Sequence, residues 1–119
     1  MKHGLMEDKM LKIDKDNNIR LTRGDSLSLT LALSKDGEAY TPENGDTIRF
    51  AMSKGYVTDA DYALTLEKTI PTNTMTLSLS SSETKVAYGD YNYDIQITHN
   101  NGAVDTFISA KIKITGEVA

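Results

Sequence analysis

The chain has 119 residues, a length that suits one compact domain, and its lack of cysteine excludes disulfides, thiolate chemistry and cysteine-based zinc sites. The 17 acidic and 13 basic residues give a formal net charge of -4, and the basic residues are scattered singly, which argues against a nucleic-acid-binding surface. No apolar run approaches the roughly 20 residues that span a bilayer, and the N-terminus lacks the apolar centre of a signal peptide, so we expect neither membrane insertion nor secretion.

The N-terminal residues 1–9 are charged, contain methionine and show no clear hydrophobic period. We predict that they form a flexible leader or an arm that needs a partner, and that residues 10–119 form a single domain. Residues 10–13 are a candidate first strand. The polar run 14–18 is a predicted turn, and residues 19–22 restart an extended pattern.

Strict alternation marks the next strand. Residues 26–33 read Ser-Leu-Ser-Leu-Thr-Leu-Ala-Leu. A period of two places successive side chains on opposite faces of a sheet, whereas an α-helix would distribute these leucines around its whole circumference. We therefore predict a strand with one buried and one solvated face.

The rest of the chain repeats this pattern between turn signals. The pairs Asp36-Gly37 and Asn101-Gly102 tolerate the positive φ angles of tight hairpin turns. Residues 53–61 show no repeat and form the longest predicted loop. Residues 80–84 have the hydroxyls and glutamate of a helix cap, and at most one short helical turn fits near residues 81–87. Further strands are predicted near residues 46–52, 62–70, 75–79, 91–98 and 104–114.

Seven to eight short strands without a long helix predict an all-β fold, either an antiparallel β-sandwich or a barrel. A sandwich is the more economical arrangement, because two sheets that are each apolar on one face bury those faces against each other. The predicted core consists of Leu27, Leu29, Leu31, Leu33, Ile48, Phe50, Leu64, Leu66, Leu77, Leu79, Tyr93, Ile95, Ile97, Ile108, Ile112 and Ile114.

No reactive constellation is visible in the sequence. His3 lies in the leader and His99 lies beside a hairpin turn, and we expect both to be solvated, because strand parity brings no nucleophile or metal partner to them. The sequence has no glycine-rich phosphate loop and no metal-ligand spacing. We predict no catalytic residue, no enzyme activity, no metal site and no cofactor.

Two short motifs have structural explanations. The acid pairs Asp14/Asp16 and Asp59/Asp61 each offer two carboxylates, whereas calcium needs about six to eight oxygens, so we predict solvated loop acids. The run Arg23-Gly24-Asp25 matches the tripeptide that integrins bind, but a Gly-Asp turn in front of a strand accounts for it.

The tyrosines are the best candidates for contact with a partner. Tyr88, Tyr91 and Tyr93 cluster at the start of a late strand, where an immunoglobulin-like sandwich often has a corner tyrosine bonded to the backbone. The alternative is a tyrosine-lined surface for sugar or protein. A structural role is favoured for Tyr93, which shares the parity of the isoleucines that follow it. The possible partner-contact residues are Tyr56, Tyr62 and Tyr88.

Unpaired edge strands invite pairing with another chain. Lys111 and Lys113 lie on the polar face of the last predicted strand, and we expect them to protect one such edge. The short segments before Arg23 could instead form an arm that adds to the sheet of a neighbouring subunit.

The order of these segments resembles a known family. The resemblance is carried by residues 21–29 (Leu-Thr-Arg-Gly-Asp-Ser-Leu-Ser-Leu), 35–37 (Lys-Asp-Gly), 45–50 (Gly-Asp-Thr-Ile-Arg-Phe) and 87–97 (Ala-Tyr-Gly-Asp-Tyr-Asn-Tyr-Asp-Ile-Gln-Ile), and by Gly102 with the closing strand. Over about residues 19–116 the chain resembles the immunoglobulin-like β-sandwich domains of phage and prophage tail or baseplate proteins. The N-terminal domain of upper baseplate proteins is the nearest type.

The resemblance implies a non-enzymatic structural module that assembles with other virion or tail proteins, with a possible homo-oligomer, and that positions a receptor-binding or fibre element. Such a protein would be a virion component assembled in the bacterial cytoplasm. The family supplies no catalytic residues. Its domain commonly heads a longer chain, so we expect either an excised domain or a stand-alone protein. The alternative function is a surface adhesion or carbohydrate-binding β-sandwich domain.

Overall fold

The computed structural model describes residues 4–6, 12–13, 16–35, 37–55 and 63–116. Seven of the strands in these ranges have four or more residues, and residues 81–84 form a turn. Within these ranges, no helix is long and apolar enough to cross a membrane. The strands are β1 (Gly4–Met6), β2 (Lys12–Ile13), β3 (Ile19–Thr22), β4 (Leu27–Ala32), β5 (Ser34–Lys35), β6 (Glu38–Ala39), β7 (Thr47–Ser53), β8 (Leu64–Ile70), β9 (Thr76–Leu79), β10 (Gly89–Thr98) and β11 (Val104–Thr115).

Two sheets form the predicted β-sandwich. One has the order β1-β4-β9, the other has the order β2-β3-β11-β10-β7-β8, and β5 and β6 form a separate small hairpin. The pairing is antiparallel except between β3 and β11, which are parallel. Parallel strands cannot be joined by a tight turn. The chain accordingly passes through the other sheet between β3 and β11.

Alternation places the core as predicted for β4 and β10. Leu27 and Leu29 lie opposite Leu79 and Leu77 of β9, and all four side chains are buried. The inner face of β10 packs into the same core cluster from the other sheet. All residues of the predicted core other than Leu64 and Leu66 are buried, and the apolar side chains that join them are Ile19, Leu21, Met52, Ile70, Tyr91 and Phe107.

Leu64 and Leu66 do not belong to the buried core, contrary to the prediction. Leu64 is 40% exposed and Leu66 is half-buried. Met52 of β7 lies opposite Leu66, but the next residue, Ser53, lies opposite Leu64, so one residue of β8 has no partner in the ladder. This irregularity turns Leu64 to the other face of the sheet. Ile70, at the opposite end of β8, is buried.

The edges of the larger sheet are β2 and β8. β11 lies between β3 and β10, so Lys111 and Lys113 do not protect an edge, contrary to the prediction. On β8, Lys68 shares the inward parity of Ile70, and its ammonium donates to both carboxylate oxygens of Glu83 at 3.1 and 3.0 Å. An inward-pointing charge on an edge strand discourages pairing with another chain.

β1 lies within the predicted leader. It runs antiparallel to β4 in the register Gly4↔Ala32 to Met6↔Thr30. This part of the N-terminal segment therefore extends the chain's own sheet, whereas residues 1–3 and 7–9 lie outside the described residues. The division into a leader and a domain of residues 10–119 stays a prediction.

We predict that Leu29→Ala lowers the free energy of unfolding by about 2–5 kcal/mol, because truncating a fully buried leucine removes apolar contacts and leaves a cavity. Leu29 has 0% exposure, whereas its neighbour Thr30 points to solvent. The matched variant Thr30→Ala should change stability by less than about 0.5 kcal/mol. Urea denaturation followed by circular dichroism measures both. Equal effects of the two substitutions would contradict the buried position of Leu29.

Candidate functional site

A polar cleft lies where the turn between β10 and β11 meets the loop between β6 and β7. We call it the hairpin cleft. It is open to solvent and has a volume of about 430 Å³. Its lining residues are Tyr40, Glu43, Asp46, His99, Asn100, Asn101, Ala103 and Asp105.

The hairpin turn itself follows from its sequence. The backbone N–H of His99 donates to the carbonyl of Ala103 at 2.7 Å, and that of Gly102 donates to the carbonyl of His99 at 2.8 Å. Gly102 has a φ of 90°, which side chains disfavour, and the side-chain oxygen of Asn101 accepts from the N–H of Ala103 at 2.9 Å. The Asn-Gly pair therefore places His99 at the rim of the cleft.

Asp46 is the centre of the cleft. Its side chain is 1% exposed, and its Oδ2 accepts from the backbone N–H of Glu43 at 2.9 Å and from the hydroxyl of Tyr40 at 2.7 Å. Its Oδ1 accepts from the backbone N–H of Asn100 at 3.1 Å. One buried carboxylate thus connects the loop before β7 to the turn after β10.

His99 extends this network towards solvent. Its Nε2 lies 2.8 Å from Oδ2 of Asp105, and because an ionised carboxylate only accepts, Nε2 is the donor. Its Nδ1 lies 3.1 Å from the hydroxyl of Tyr40. The Tyr40 ring also meets the ring of Phe107, with centroids 5.3 Å apart. His99 is therefore not solvated, contrary to the prediction, but is half-buried and held on both ring nitrogens. His3 lies outside the described residues.

These contacts shift two pKa values in opposite directions. Hydrogen bonds from the Glu43 N–H and the Tyr40 hydroxyl lower the pKa of the Asp46 carboxyl below its usual value. Burial, the hydrogen bond to Asp46 and nearby negative charges raise the pKa of Tyr40 to about 12. A catalytic acid or base needs a pKa near the working pH. Near neutral pH, Tyr40 instead remains a protonated donor and Asp46 an ionised acceptor.

The network therefore joins two loops. In the part of the chain that the structure describes, every buried side-chain nitrogen or oxygen has a hydrogen-bond partner. The described side chains also include no group of three or more histidines or acids arranged to hold a metal ion. Sequence reasoning missed Tyr40 and Asp46, because their partners lie 59 and 54 positions away along the chain.

Two of the predicted partner-contact tyrosines, Tyr56 and Tyr62, lie outside the described residues. Tyr88 is 53% exposed. The guanidinium of Arg23 lies 5.7 Å from the centroid of the Tyr88 ring, and its Nε donates to the carbonyl of Val86 at 3.0 Å. Arg23 thus holds the segment that carries Tyr88 against the sandwich.

Tyr91 and Tyr93 are buried and bond to backbone. The hydroxyl of Tyr91 donates to the carbonyl of Ala87, four residues upstream, at 2.6 Å. This is the bond of a corner tyrosine, which sequence reasoning had favoured for Tyr93. The hydroxyl of Tyr93 donates instead to the distant carbonyl of Asn17 at 2.5 Å. Burial raises the pKa of Tyr91.

The integrin-like tripeptide is a turn between β3 and β4. Gly24 has a φ of 87°, the N–H of Arg23 donates to the carbonyl of Thr115, and the N–H of Asp25 donates to the carbonyl of Thr22, both at 3.0 Å. Backbone geometry thus accounts for these three residues. Of the acid pairs, Asp14, Asp59 and Asp61 lie outside the described residues, and Asp16 is exposed.

Comparison with known proteins supports the fold. No protein-family profile matches the chain, and no curated protein sequence matches it. Among solved structures, the chain is similar to the fibronectin(III)-like modules of Clostridium thermocellum CbhA, with 13% sequence identity and a TM-score of 0.50. The match covers 98% of this chain and 99% of that one. The prediction of an immunoglobulin-like β-sandwich is confirmed at the level of fold.

We predict that Asp46→Asn lowers the melting temperature at about pH 7, and that the difference from the wild type narrows in acid. The folded-state pKa of Asp46 lies below its usual 3.8. Its stabilisation is therefore present above the unfolded pKa and is lost as pH falls through the folded pKa. Thermal melts between about pH 7 and pH 2 test this. Glu43→Gln, at an exposed side chain, should show no such convergence, and a constant gap for Asp46→Asn would contradict the prediction.

We predict that Gly45→Ala destabilises the protein more than Gly37→Ala. Both glycines have positive φ angles, 92° and 83°, so both substitutions carry a backbone cost of about 1–2 kcal/mol. A Cβ at Gly45 would in addition lie 2.8 Å from the Cβ of Asn100, whereas a Cβ at Gly37 meets nothing within 4 Å. Chemical denaturation of both variants measures the difference. Equal losses would contradict the close approach of the two loops.

Proposed function

We propose that the chain is a non-enzymatic structural module of a phage or prophage tail or baseplate, which binds other virion subunits and positions a receptor-binding or fibre element. The observation that supports a non-enzymatic role is the hydrogen-bond network in the hairpin cleft. Its chemistry-bearing side chains, Tyr40, Asp46 and His99, are bonded to one another. These contacts raise the pKa of Tyr40 to about 12 and lower the pKa of Asp46, so neither group is matched to proton transfer near neutral pH.

The virion assignment is supported by the resemblance over about residues 19–116. The segments that carry it have structural roles in this chain. Residues 21–29 contain the turn that joins β3 of one sheet to β4 of the other. Residues 87–97 contain the corner bond of Tyr91 and most of the inner face of β10. Motifs that specify a sandwich and no reactive site are compatible with a protein that works by contact with other proteins.

The similarity in fold to the fibronectin(III)-like modules of CbhA is also compatible with a modular role. A module of this kind is a folded unit that is connected to other units, and its surface is available for contact. The larger sheet of this chain has an outer face of polar and charged side chains, which include Arg49, Asp94 and Gln96. Polar faces of this type suit reversible protein contacts better than the obligate contacts of a hydrophobic interface.

Co-expression with the proteins encoded by neighbouring genes tests this proposal. We expect the chain to elute from size-exclusion chromatography in a complex with at least one tail-region protein, while the chain alone elutes separately. Neighbouring reading frames should encode tape-measure, baseplate or lysis proteins. Failure to associate with any neighbour, in a genomic context without such genes, would contradict the virion assignment.

A surface adhesion or carbohydrate-binding domain is the second candidate. Tyr88 favours it, because its ring is 53% exposed and is held in place by Arg23. Exposed aromatic rings with a polar end are typical of recognition surfaces. A glycan array should then give signals that Tyr88→Ala removes. An array without signals would contradict this alternative.

A further inference from the structure

Three basic side chains lie side by side on the outer face of the larger sheet. Arg20 of β3 lies directly opposite Lys113 of β11, and Lys111 precedes Lys113 on the same face. All three are exposed. The backbone position of Lys12 in β2 is in register with Arg20 on the other side. We call Arg20, Lys111 and Lys113 the basic strip.

This arrangement is unfavourable within one molecule. Like charges directly opposite each other destabilise a sheet. Among the described residues, neither Arg20 nor Lys113 forms an ion pair, and the ammonium of Lys111 donates to the side-chain oxygen of Asn92 at 3.3 Å. Asp90 lies in register with Lys113, and Asp94 lies on the same face, two residues beyond Asn92, which is in register with Lys111. Two carboxylates of β10 therefore adjoin three cations. The remaining repulsion would be relieved by a negatively charged partner.

The hairpin cleft has the opposite charge. Glu43 and Asp105 bring exposed carboxylates to it, and the buried Asp46 adds a third negative charge below the surface. The lining includes His99 but no lysine or arginine. Asp105 stands at the start of β11, whereas Lys113 stands near its end. At about 3.3 Å per residue, these two positions are about 26 Å apart. The distance exceeds the Debye length of about 8 Å at physiological salt, so the two regions do not neutralise each other within one copy.

We propose that a second copy of this chain is the partner, and that the basic strip of one copy docks on the hairpin cleft of the next. The complementary charges argue for this occupant, because the three exposed cations would meet the exposed carboxylates of Glu43 and Asp105, with the charge of the buried Asp46 beneath them. Because the two surfaces differ, the contact is head-to-tail and can repeat into a ring or a linear array. This proposal rests on the proposed function, because it names one partner of a module that works in assembly.

Charge reversal of each surface provides the test. The strip variant is Arg20→Glu with Lys111→Glu, and it leaves Lys113 opposite a new carboxylate, so its fold should not be weakened. The cleft variant is Glu43→Lys with Asn44→Lys and Ala103→Lys. Its three positions are exposed, and the buried Asp46 network is untouched. The two variants change the formal charge by equal amounts in opposite directions.

Sedimentation velocity of the purified full chain is the measurement. At about 50 mM salt, the wild type should show a mass that rises with concentration, and about 0.5 M salt should abolish this rise. Each variant alone should remain monomeric. An equimolar mixture should associate again, because the reversed strip now meets a reversed cleft, and the native strip meets a native cleft.

The matched control is Lys54→Glu with Lys85→Glu, which makes the same charge change at exposed positions outside the strip. It should associate like the wild type. This result would show that the strip variant fails to associate because of its altered strip and not because of its net charge. A monomeric wild type at every salt concentration, an associating strip variant, or a mixture that stays monomeric would each overturn the proposal. Strip-dependent binding to heparin without self-association would also overturn it, since it assigns the strip to another polyanion.

The outcomes also separate this inference from the proposed function. A chain that binds tail-region proteins but does not self-associate overturns the inference alone. A chain that self-associates through the strip but binds no tail-region protein overturns the virion assignment alone.

Discussion

The antiparallel pairing of β10 with β11 positions most of the larger sheet. These are the two longest strands of the described residues, with 10 and 12 residues, and their register runs from Gly89↔Ile114 to Thr98↔Val104. β7 is added on the free side of β10, and β3 on that of β11. The same pair places a turn at one end, where His99 meets Asp46, and the basic strip towards the other end.

Buried polar groups join the loops around this pair. Asp46 bonds to the turn between β10 and β11, Tyr91 bonds to the segment before β10, and Tyr93 bonds to the carbonyl of Asn17. Each bond satisfies a group that would be costly to bury alone, and each adds a side-chain contact to the hydrogen bonds of the sheet. Asp46, Tyr91 and Tyr93 therefore hold these segments in place.

Two regions of the surface carry opposite charge. The hairpin cleft is acidic and open to solvent. The outer face of β3 and β11 is basic, and its cations repel one another. In a chain with a net charge of -4, the grouping of basic side chains on one strip is a specific feature and not a consequence of composition. Long-range charge complementarity contributes more to the selection and orientation of a partner than to the affinity of the contact.

The sequence alone is enough to predict the fold class, most of the strands and the buried faces of β4 and β10, because alternation with a period of two is a local property of neighbouring side chains. It also determined the Asn-Gly hairpin turn. Three features emerge at the level of tertiary structure: Leu64 turns outward at an irregularity, β11 is internal, and Asp46, Tyr40 and His99 meet. These outcomes depend on which strands pair and in what register, and residues more than fifty positions apart carry no local signal of their contact.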